Sequence, residues 1–450
     1  MDLRHEQMTY RVLGFAFAAV LVASGLMQAH AQDRRVTDLP PYDSRTWTGF
    51  YIGAAFGGGT LVERQVSSSG GATLTEDTGG QGVLASVYGG YDFQVMPRAL
   101  VGVLAEGTWS SIQSNASAQV PGASASVSTQ PNLGFSALIR AGVLPTPEML
   151  LYLIGGYSGQ NIHSSGTASA GSAFASFSRD DFFNGWTIGS GVETMLSRGW
   201  SAKLEYRFTQ FESRNLPGST FTVQPYEHAV RAGLSYKFGS GAARDEDATQ
   251  VAKANWTGPY LGAAGGASSA VTRTSANFGG ANASIDGGGQ SLLGSVYGGF
   301  DYQIADRAVI GVMGDATWAN PQSTMTLSGG GATTAVTVSP GMSWSVLGRV
   351  GLLPVPSTLI YAAAGYTAET VGTTAIASGG GGTALFQSND TLSGWTAGPG
   401  VETVISGGWS TRLEYRYSQY ETRSMLGGAT SIQPSTHTVR AGLAYKFGVP

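Results

Sequence analysis

The sequence predicts an all-β fold made of two tandem, antiparallel, up-and-down transmembrane β-barrels of eight strands each. The first observation is the alternation of apolar and polar residues along Thr436–Phe447, which is the period of an extended strand. The second is that the same pattern occurs as Glu227–Phe238, so that Phe447 lies 209 residues after Phe238. The third is that strand-like segments are joined by long and short connections in strict alternation.

Composition excludes several classes of protein. The chain has 450 residues, a net charge of −4 and 12% charged residues, which gives no reason to expect a nucleic-acid partner. It has no cysteine, so disulfides and thiol chemistry are excluded. The 67 glycines follow no G-X-Y period, and the aromatic and β-branched residues recur too regularly for a disordered chain.

The amino-terminal residues resemble an export signal. Residues 1–31 combine a positively charged start, the apolar run Val12–Met27 and the small-x-small cleavage pattern Ala29–Ala31. We therefore expect a signal peptide over 1–31, with an uncleaved membrane anchor as the alternative, followed by a periplasmic lead-in over 32–46. No later apolar run has the roughly 20 residues that a membrane helix requires, so any further membrane crossing is made by strands.

The repeat divides the remaining chain into unit 1 over 47–239, a polar linker over 240–255 and unit 2 over 256–450. Unit 1 contains eight segments of strand character, each about the 9–11 residues that a tilted strand needs to cross a bilayer. They are Thr48–Phe56, Val83–Val95, Leu100–Trp109, Gly134–Leu144, Leu150–Ser158, Trp186–Leu196, Trp200–Phe211 and His228–Phe238. Unit 2 repeats this layout.

The connections in unit 1 indicate which environment each end of the strands faces. The long ones, rich in Ser, Gly, Ala and Thr, are predicted to be flexible loops: Gly57–Gly82, Ser110–Leu133, Gly159–Gly185 and Glu212–Glu227. The short ones are Met96–Ala99, Pro145–Met149 and Ser197–Gly199. Long loops at one end and tight turns at the other are typical of outer-membrane barrels, in which the loops are extracellular and the turns periplasmic.

The charged residues of the strands lie on one parity, and the opposite parity is almost free of charge. An Arg or Lys in the middle of a lipid-facing surface would cost about 2–4 kcal/mol, which explains the exclusion. Four acids and five bases recur in each unit, and we expect them to form an ion-pair network in a narrow lumen. The predicted network is Asp92, Glu106, Arg140, Glu193, Lys203, Glu205, Arg207, Arg231 and Lys237, with Asp301, Asp315, Arg349, Glu402, Arg412, Glu414, Arg416, Arg440 and Lys446.

All nine tryptophans fall near the ends of predicted strands. Indole rings combine an apolar body with one donor and favour the membrane–water interface, so we predict that they form aromatic girdles. The predicted girdle residues are Trp47, Trp109, Trp186, Trp200, Trp256, Trp318, Trp344, Trp395 and Trp409.

The residues do not favour catalysis. His228 and His437 occupy equivalent positions on the lipid-facing parity, and a polar residue at the membrane interface is a simpler interpretation than a metal ligand. Neither they nor His163 accompany a nucleophile motif, and glycine runs such as Gly379–Gly382 lack the Lys-Ser/Thr of a phosphate loop. We therefore expect no enzyme activity, no cofactor and no metal.

Three motifs resemble one known family. Trp47–Gly53, Leu204–Phe208 and Val230–Gly239, which all recur in unit 2, resemble the outer-membrane immunogenic, opacity-type porin family of Gram-negative bacteria. The resemblance implies an eight-stranded barrel in the cell outer membrane and a role as a surface antigen. The two terminal strands also resemble the signal read by the barrel-assembly machinery, carried here by Gly233, Tyr236, Phe238, Gly442, Tyr445 and Phe447. The chain departs from the family in being duplicated.

Duplication leaves two architectures and two functions open. Each unit closes its own barrel, or both merge into one sixteen-stranded barrel; the charged linker and the complete terminal signal in each unit favour two barrels. Two plugged barrels predict a surface protein that supports the envelope and displays loops to host surfaces, phage or lipopolysaccharide. One sixteen-stranded barrel predicts a general diffusion porin with an aqueous channel.

Overall fold

A computed structural model of the chain describes residues 47–69, 71–196, 199–215, 221–238, 255–278, 281–425 and 428–448. The predicted signal peptide, the lead-in and almost all of the linker lie outside the described residues. The described chain is built from antiparallel strands. It contains no helix that is long and apolar enough to cross a membrane.

Within the residues that the structure describes, each unit contributes ten strands, of which eight are long and two are short pieces near the ends of the long connections. Those of unit 1 are β1 Gly49–Ser69, β2 Ala72–Met96, β3 Ala99–Ser110, β4 Gln113–Val120, β5 Ala123–Thr146, β6 Met149–Ala170, β7 Ala173–Met195, β8 Trp200–Phe211, β9 Arg214–Asn215 and β10 Phe221–Lys237. Those of unit 2 are β11 Gly258–Phe278, β12 Ala281–Ala305, β13 Ala308–Ala319, β14 Ser323–Gly329, β15 Ala332–Val355, β16 Thr358–Gly379, β17 Gly382–Ser406, β18 Trp409–Tyr420, β19 Arg423–Met425 and β20 Thr430–Lys446.

The strand pairing closes each unit on itself. In unit 1 the order is β1-β2-β3-β5-β6-β7-β8-β10, and β10 returns to β1 with Tyr51 opposite Lys237. In unit 2 the last strand, β20, returns to β11 with Tyr260 opposite Lys446. The prediction of two eight-stranded barrels is confirmed. A single sixteen-stranded barrel would instead pair β1 with β20 and β10 with β11, so that alternative is wrong at the turn end of the described strands.

The segments predicted to be long flexible loops are largely strands, and this prediction was wrong. β1 and β2 continue their ladder without interruption to Ser69 opposite Ala72, and β6 and β7 continue to Ala170 opposite Ala173. Tight turns with glycines at positive φ, such as Gly122 (φ 80°), end the hairpins. These segments, which are rich in Ser, Thr and Ala, lack the apolar alternation that marks a half-buried strand, but their backbone groups still pair across the hairpin. We call these extensions beyond the closed barrels the crown.

The two units exchange strands within the crown. β4 pairs with β2 of its own unit only at Gly80 and Gln81 of β2. Farther along, β4 pairs with β12 of unit 2, from Asn282 opposite Gln119 to Ile285 opposite Ala116. Reciprocally, β14 pairs with β2 of unit 1, from Met325 opposite Glu76 to Ser328 opposite Thr73. The two barrels are therefore separate at the turn end, whereas the pairings of β4 and β14 in the crown connect all twenty described strands into one hydrogen-bonded sheet system.

Candidate functional site

The lumen of barrel 1 contains a first group of four charged side chains near the turn end. Arg140 donates from Nε to Asp92 Oδ1 at 2.6 Å and from Nη1 to Glu193 Oε2 at 2.8 Å. Lys237 Nζ lies 2.9 Å from Asp92 Oδ2 and 3.4 Å from Glu193 Oε1. Ser201 completes the coordination of Glu193 by donating its hydroxyl at 2.6 Å. Two acids and two bases from four different strands thus satisfy one another.

A second group lies above the first, toward the crown. Arg207 donates from Nε to Glu205 Oε1 at 2.7 Å and from Nη2 to Glu106 Oε2 at 2.8 Å. Arg231 also contacts Glu106, and Lys203 Nζ lies 3.7 Å from Glu205 Oε2. Because Glu106 is on β3 and Arg207 on β8, this group joins opposite sides of the barrel wall.

Barrel 2 repeats both groups with equivalent partners. Arg349 joins Asp301 to Glu402, with its Nη1 at 2.8 Å from Glu402 Oε2, and Arg416 joins Glu414 to Asp315. All eighteen side chains predicted for the network are buried, and none is more than 8% exposed. One local difference is that Asp315 is a methylene shorter than Glu106, and Met313 contacts the Arg412 guanidinium at 3.3 Å.

Inward-facing tyrosines complete these groups and were missed by the sequence analysis. Tyr152 donates its hydroxyl to Glu205 at 2.8 Å, and Tyr361 does the same to Glu414 at 2.6 Å. The Lys203 ammonium lies 3.5 Å from the ring centre of Tyr88, which is cation–π geometry. The signal that could have found the tyrosines is their recurrence at the repeat spacing on the charged parity.

Two of the nine predicted girdle tryptophans lie inside the barrels. Trp47 and Trp256 are 1% and 0% exposed, and their indole N–H groups donate to the carbonyl oxygens of Pro147 at 2.9 Å and Pro356 at 3.0 Å. They lie at the turn end of each lumen, below the first charged group, so their assignment to the girdle was wrong. Both precede the first strand of their unit, where strand parity does not define the direction of a side chain. The other seven remain predicted girdle residues: Trp109, Trp186, Trp200, Trp318, Trp344, Trp395 and Trp409.

The residues of the predicted assembly signal lie at the turn end of each closing strand. Tyr236 and Phe238 are exposed on the outer surface, with ring centres 5.2 Å apart. Tyr445 and Phe447 repeat this pair at the same distance, with Tyr445 half-buried. Gly233 faces the lumen, where a Cβ would lie 2.9 Å from the Tyr88 hydroxyl, and Gly442 is its equivalent. In the part of the chain that the structure describes, no group of three or more His, Asp or Glu side chains is arranged to hold a metal ion.

Comparison with known proteins identifies the family. The model of the outer membrane protein beta-barrel domain matches residues 16–238 and again residues 247–447. The chain belongs to this family. It is therefore a tandem duplication of an outer-membrane β-barrel, and its location is the outer membrane of a Gram-negative cell.

Named relatives of this outer-membrane barrel family match about one unit of the chain. The 31 kDa outer-membrane immunogenic protein of Brucella melitensis biotype 1 is 29% identical over 214 residues, which cover 44% of this chain and 86% of the relative. The 22 kDa outer membrane protein of Rhizobium leguminosarum bv. viciae is 30% identical over 195 residues, which cover 43% and 79%. Neither relative is named as an enzyme.

Solved structures match the chain only weakly. Ail, the attachment invasion locus protein of Yersinia pestis, is 12% identical with a TM-score of 0.22, covering 42% of this chain and 99% of Ail. A deltaS2S3 mutant of the monoaromatic hydrocarbon channel TodX is 10% identical with a TM-score of 0.26, covering 89% and 91%. At these TM-scores neither protein bears on the function of this family member.

Glu63 is one of several buried carboxylates outside the two ion-pair groups; Glu227 and Glu369 are others. Glu63 is on β1 in the crown, six residues beyond Gly57, and is 1% exposed without an ion-pair partner. It faces Gln65, Thr78 and Thr129, none of which is charged. Burial raises the pKa of Glu63 to about 7, although these neighbouring polar groups oppose the shift. Its position in unit 2 is taken by Thr272, so the feature is specific to unit 1.

We expect Glu63→Gln to stabilise unit 1 in a pH-dependent way. Below the ordinary pKa of about 4.5 the carboxyl is protonated in both the folded and the unfolded chain, so the substitution does not change the stability there. Between pH 4.5 and about 7 the Glu63 carboxyl is ionised in the unfolded chain but still protonated in the folded chain, so the folding stability of the parent protein falls as pH rises. The gain on substitution reaches about 3 kcal/mol above pH 7. Urea unfolding in detergent at pH 4 and pH 8, with the exposed Glu421→Gln as control, measures this; equal gains at both pH values would contradict it.

Proposed function

We propose that the protein is a non-conducting, surface-exposed structural protein of the outer membrane, in which each barrel is plugged by its own side chains. The observation that carries the proposal is the paired burial of nine ionisable side chains in each lumen. An eight-stranded barrel is just wide enough for side chains to fill it. The Trp47 and Trp256 indoles at the turn end add a second obstruction on the path of a solute.

The crown is the part of the molecule that this proposal assigns to the outside. Its hairpins present hydroxyl side chains in cross-strand pairs, such as Ser124 with Ser169 at 2.8 Å and Ser126 with Thr167 at 2.9 Å. Such a surface suits contacts with lipopolysaccharide, host surfaces or phage, and it holds them at a fixed height above the membrane. Support of the envelope and delivery by the barrel-assembly machinery, through the terminal aromatic residues, belong to the same proposal.

Single-channel recording of the refolded full chain in planar bilayers tests the plugged lumen. We expect bilayers that contain the protein to remain silent, while a general porin reconstituted in parallel produces steady steps of nanosiemens order. Incorporation is checked by protection of the turn end from added protease. Stable porin-like steps from most bilayers would show that the buried ion pairs do not close the lumens.

The general-porin alternative required an aqueous channel surrounded by sixteen strands. In the described strands, pairing between the units is confined to the crown, and each barrel is closed by eight strands below it. That architecture therefore does not support the alternative, and we do not propose it.

A further inference from the structure

We propose that each barrel carries, on its outer face, a recognition surface for a second copy of the same barrel, and that the two units of this chain are joined through it. We call this contact the junction. It uses residues of the parity that the sequence analysis assigned to lipid, and it is independent of whether the lumens conduct.

The part of the junction nearer the turn end is apolar and symmetric. Val192, Leu204 and Val230 of unit 1 form one buried cluster with Val401, Leu413 and Val439 of unit 2. Each residue of the second set is the repeat equivalent of one in the first. A contact in which both partners use the same patch is the mark of a two-fold, self-complementary interface.

Polar pairs continue the junction toward the crown. Thr60 donates its hydroxyl to Ser269, its own repeat equivalent, at 2.7 Å, so the pseudo-two-fold axis passes between them. The Nε2 atom of His228 lies 2.5 Å from Gln290 Oε1 and donates to it while Nδ1 accepts from the Tyr206 hydroxyl at 2.8 Å.

The reciprocal polar pair is also present. His437 Nε2 lies 3.2 Å from Gln81 Oε1, and His437 Nδ1 accepts from Tyr415 at 2.8 Å. The expectation that the two histidines are polar residues at the membrane interface was wrong, since His228 is buried and His437 half-buried where the two barrels meet. Histidine and glutamine on an outer barrel face would be costly in hydrocarbon, and the second barrel removes that cost by supplying their hydrogen bonds.

Glycines allow the backbones of the two units to cross. A Cβ built on Gly79 would lie 2.7 Å from the Gly288 Cα, and one built on Gly288 would lie 2.8 Å from the Gly79 Cα. Real Cβ atoms do not approach backbone so closely, so the crossing of β2 and β12 requires glycine at both positions. Immediately beyond it, β4 and β14, which stay paired with β5 and β15 of their own units, also pair with β12 and β2 of the other unit.

The partner follows from the symmetry. Among the side chains named above for the apolar cluster and the polar pairs, only Thr60 and Ser269 differ between the units, and both are hydroxyl residues. The exchanged strands differ in side chains, but their backbones pair in the same way in both units. Each unit therefore presents equivalent side chains to the other. A surface that is complementary to itself, in both its side chains and its exchanged strands, recognises a second copy of the same barrel.

The test cuts the covalent link in the full chain. A protease site inserted after Glu246 allows the refolded protein to be cleaved between the units, and the detergent-solubilised products are separated by size exclusion and unheated gel electrophoresis. We expect the cleaved halves of the parent chain to remain together. Gly288→Val should release them, and Gly294→Val, which lies on the same strand and face with open space around it, should not.

A second arm covers the case in which Gly288→Val fails to fold. The chain has no native cysteine, so Thr60→Cys with Ser269→Cys should form an intramolecular disulfide on mild oxidation. Ala54→Cys with Ala263→Cys, exposed equivalents on the same two strands, should not. The proposal is overturned if the parent halves separate while each keeps its heat-dependent mobility, if folded Gly288→Val halves stay joined, or if the first cysteine pair does not cross-link.

Discussion

Arg140→Met is expected to destabilise barrel 1 by about 3–5 kcal/mol, the usual cost of removing one partner from a buried ion pair. The Arg140 guanidinium is 2% exposed and joins Asp92 to Glu193, so its loss leaves two buried carboxylates with only Lys237 between them. Methionine retains much of the volume, which keeps the effect electrostatic. Urea unfolding of the refolded protein, followed by the gel mobility of unheated samples, measures the loss.

Two controls separate this effect from a general loss of packing. Arg214→Met removes the 3.0 Å ion pair with Glu212 on the exposed end of the barrel, where 40% and 39% of the two side chains are accessible, and should cost no more than about 1 kcal/mol. Adding Glu193→Gln alone to Arg140→Met should restore much of the stability, because Asp92 then pairs with Lys237 and one acid is balanced by one base. If Arg140→Met were as mild as Arg214→Met, the buried network would have no structural role.

Gly57→Val is expected to prevent barrel 1 from closing. Gly57 faces the lumen at the β1–β10 seam opposite Arg231, and a Cβ there would overlap the carbonyl oxygen of Val230. Strand β1 cannot accept it without moving away from β10, which breaks the ladder that turns eight strands into a ring. We expect near-complete loss of the compact, heat-modifiable form of unit 1, measured after cleavage between the units.

The matched control is Gly107→Val on β3, where the position of a Cβ is open. This variant should fold like the parent, and on the outer face it should be tolerated or slightly stabilising because valine suits a strand. Gly266→Val, at the equivalent seam of barrel 2, should repeat the defect there. Normal folding of Gly57→Val would mean that the seam between first and last strands is not formed as described.

Sequence patterning predicted the part of the fold in which the environment differs between the two faces of a strand. Lipid on one side and a charged lumen on the other impose the period of two that reveals strands such as β3 and β8. The crown was missed because both of its faces meet water, so Ser, Thr and Ala serve equally on either side. In that region only backbone pairing and the turn glycines define the strand, and neither leaves an apolar pattern.

The junction was missed for a different reason. His228 and Gln81 lie on the lipid parity, and a single chain of residues cannot show that a second barrel replaces lipid at that place. Their recurrence as His437 and Gln290 is visible in the sequence, but it has a meaning only when the two copies face each other. Glu63 was overlooked because it lies in a segment that was predicted to be a solvated loop.

Cysteine cross-linking across the strand seams tests most directly whether each unit closes its own barrel. The cysteine-free chain allows two pairs to be compared in membranes: Ala54→Cys with Leu234→Cys, which are register partners on β1 and β10, and Ala54→Cys with Leu443→Cys, which joins β1 to β20. We predict efficient cross-linking of the first pair and none of the second. Cross-linking of β1 to β20 without cross-linking of β1 to β10 would show that the strands form one large ring, and would contradict the account.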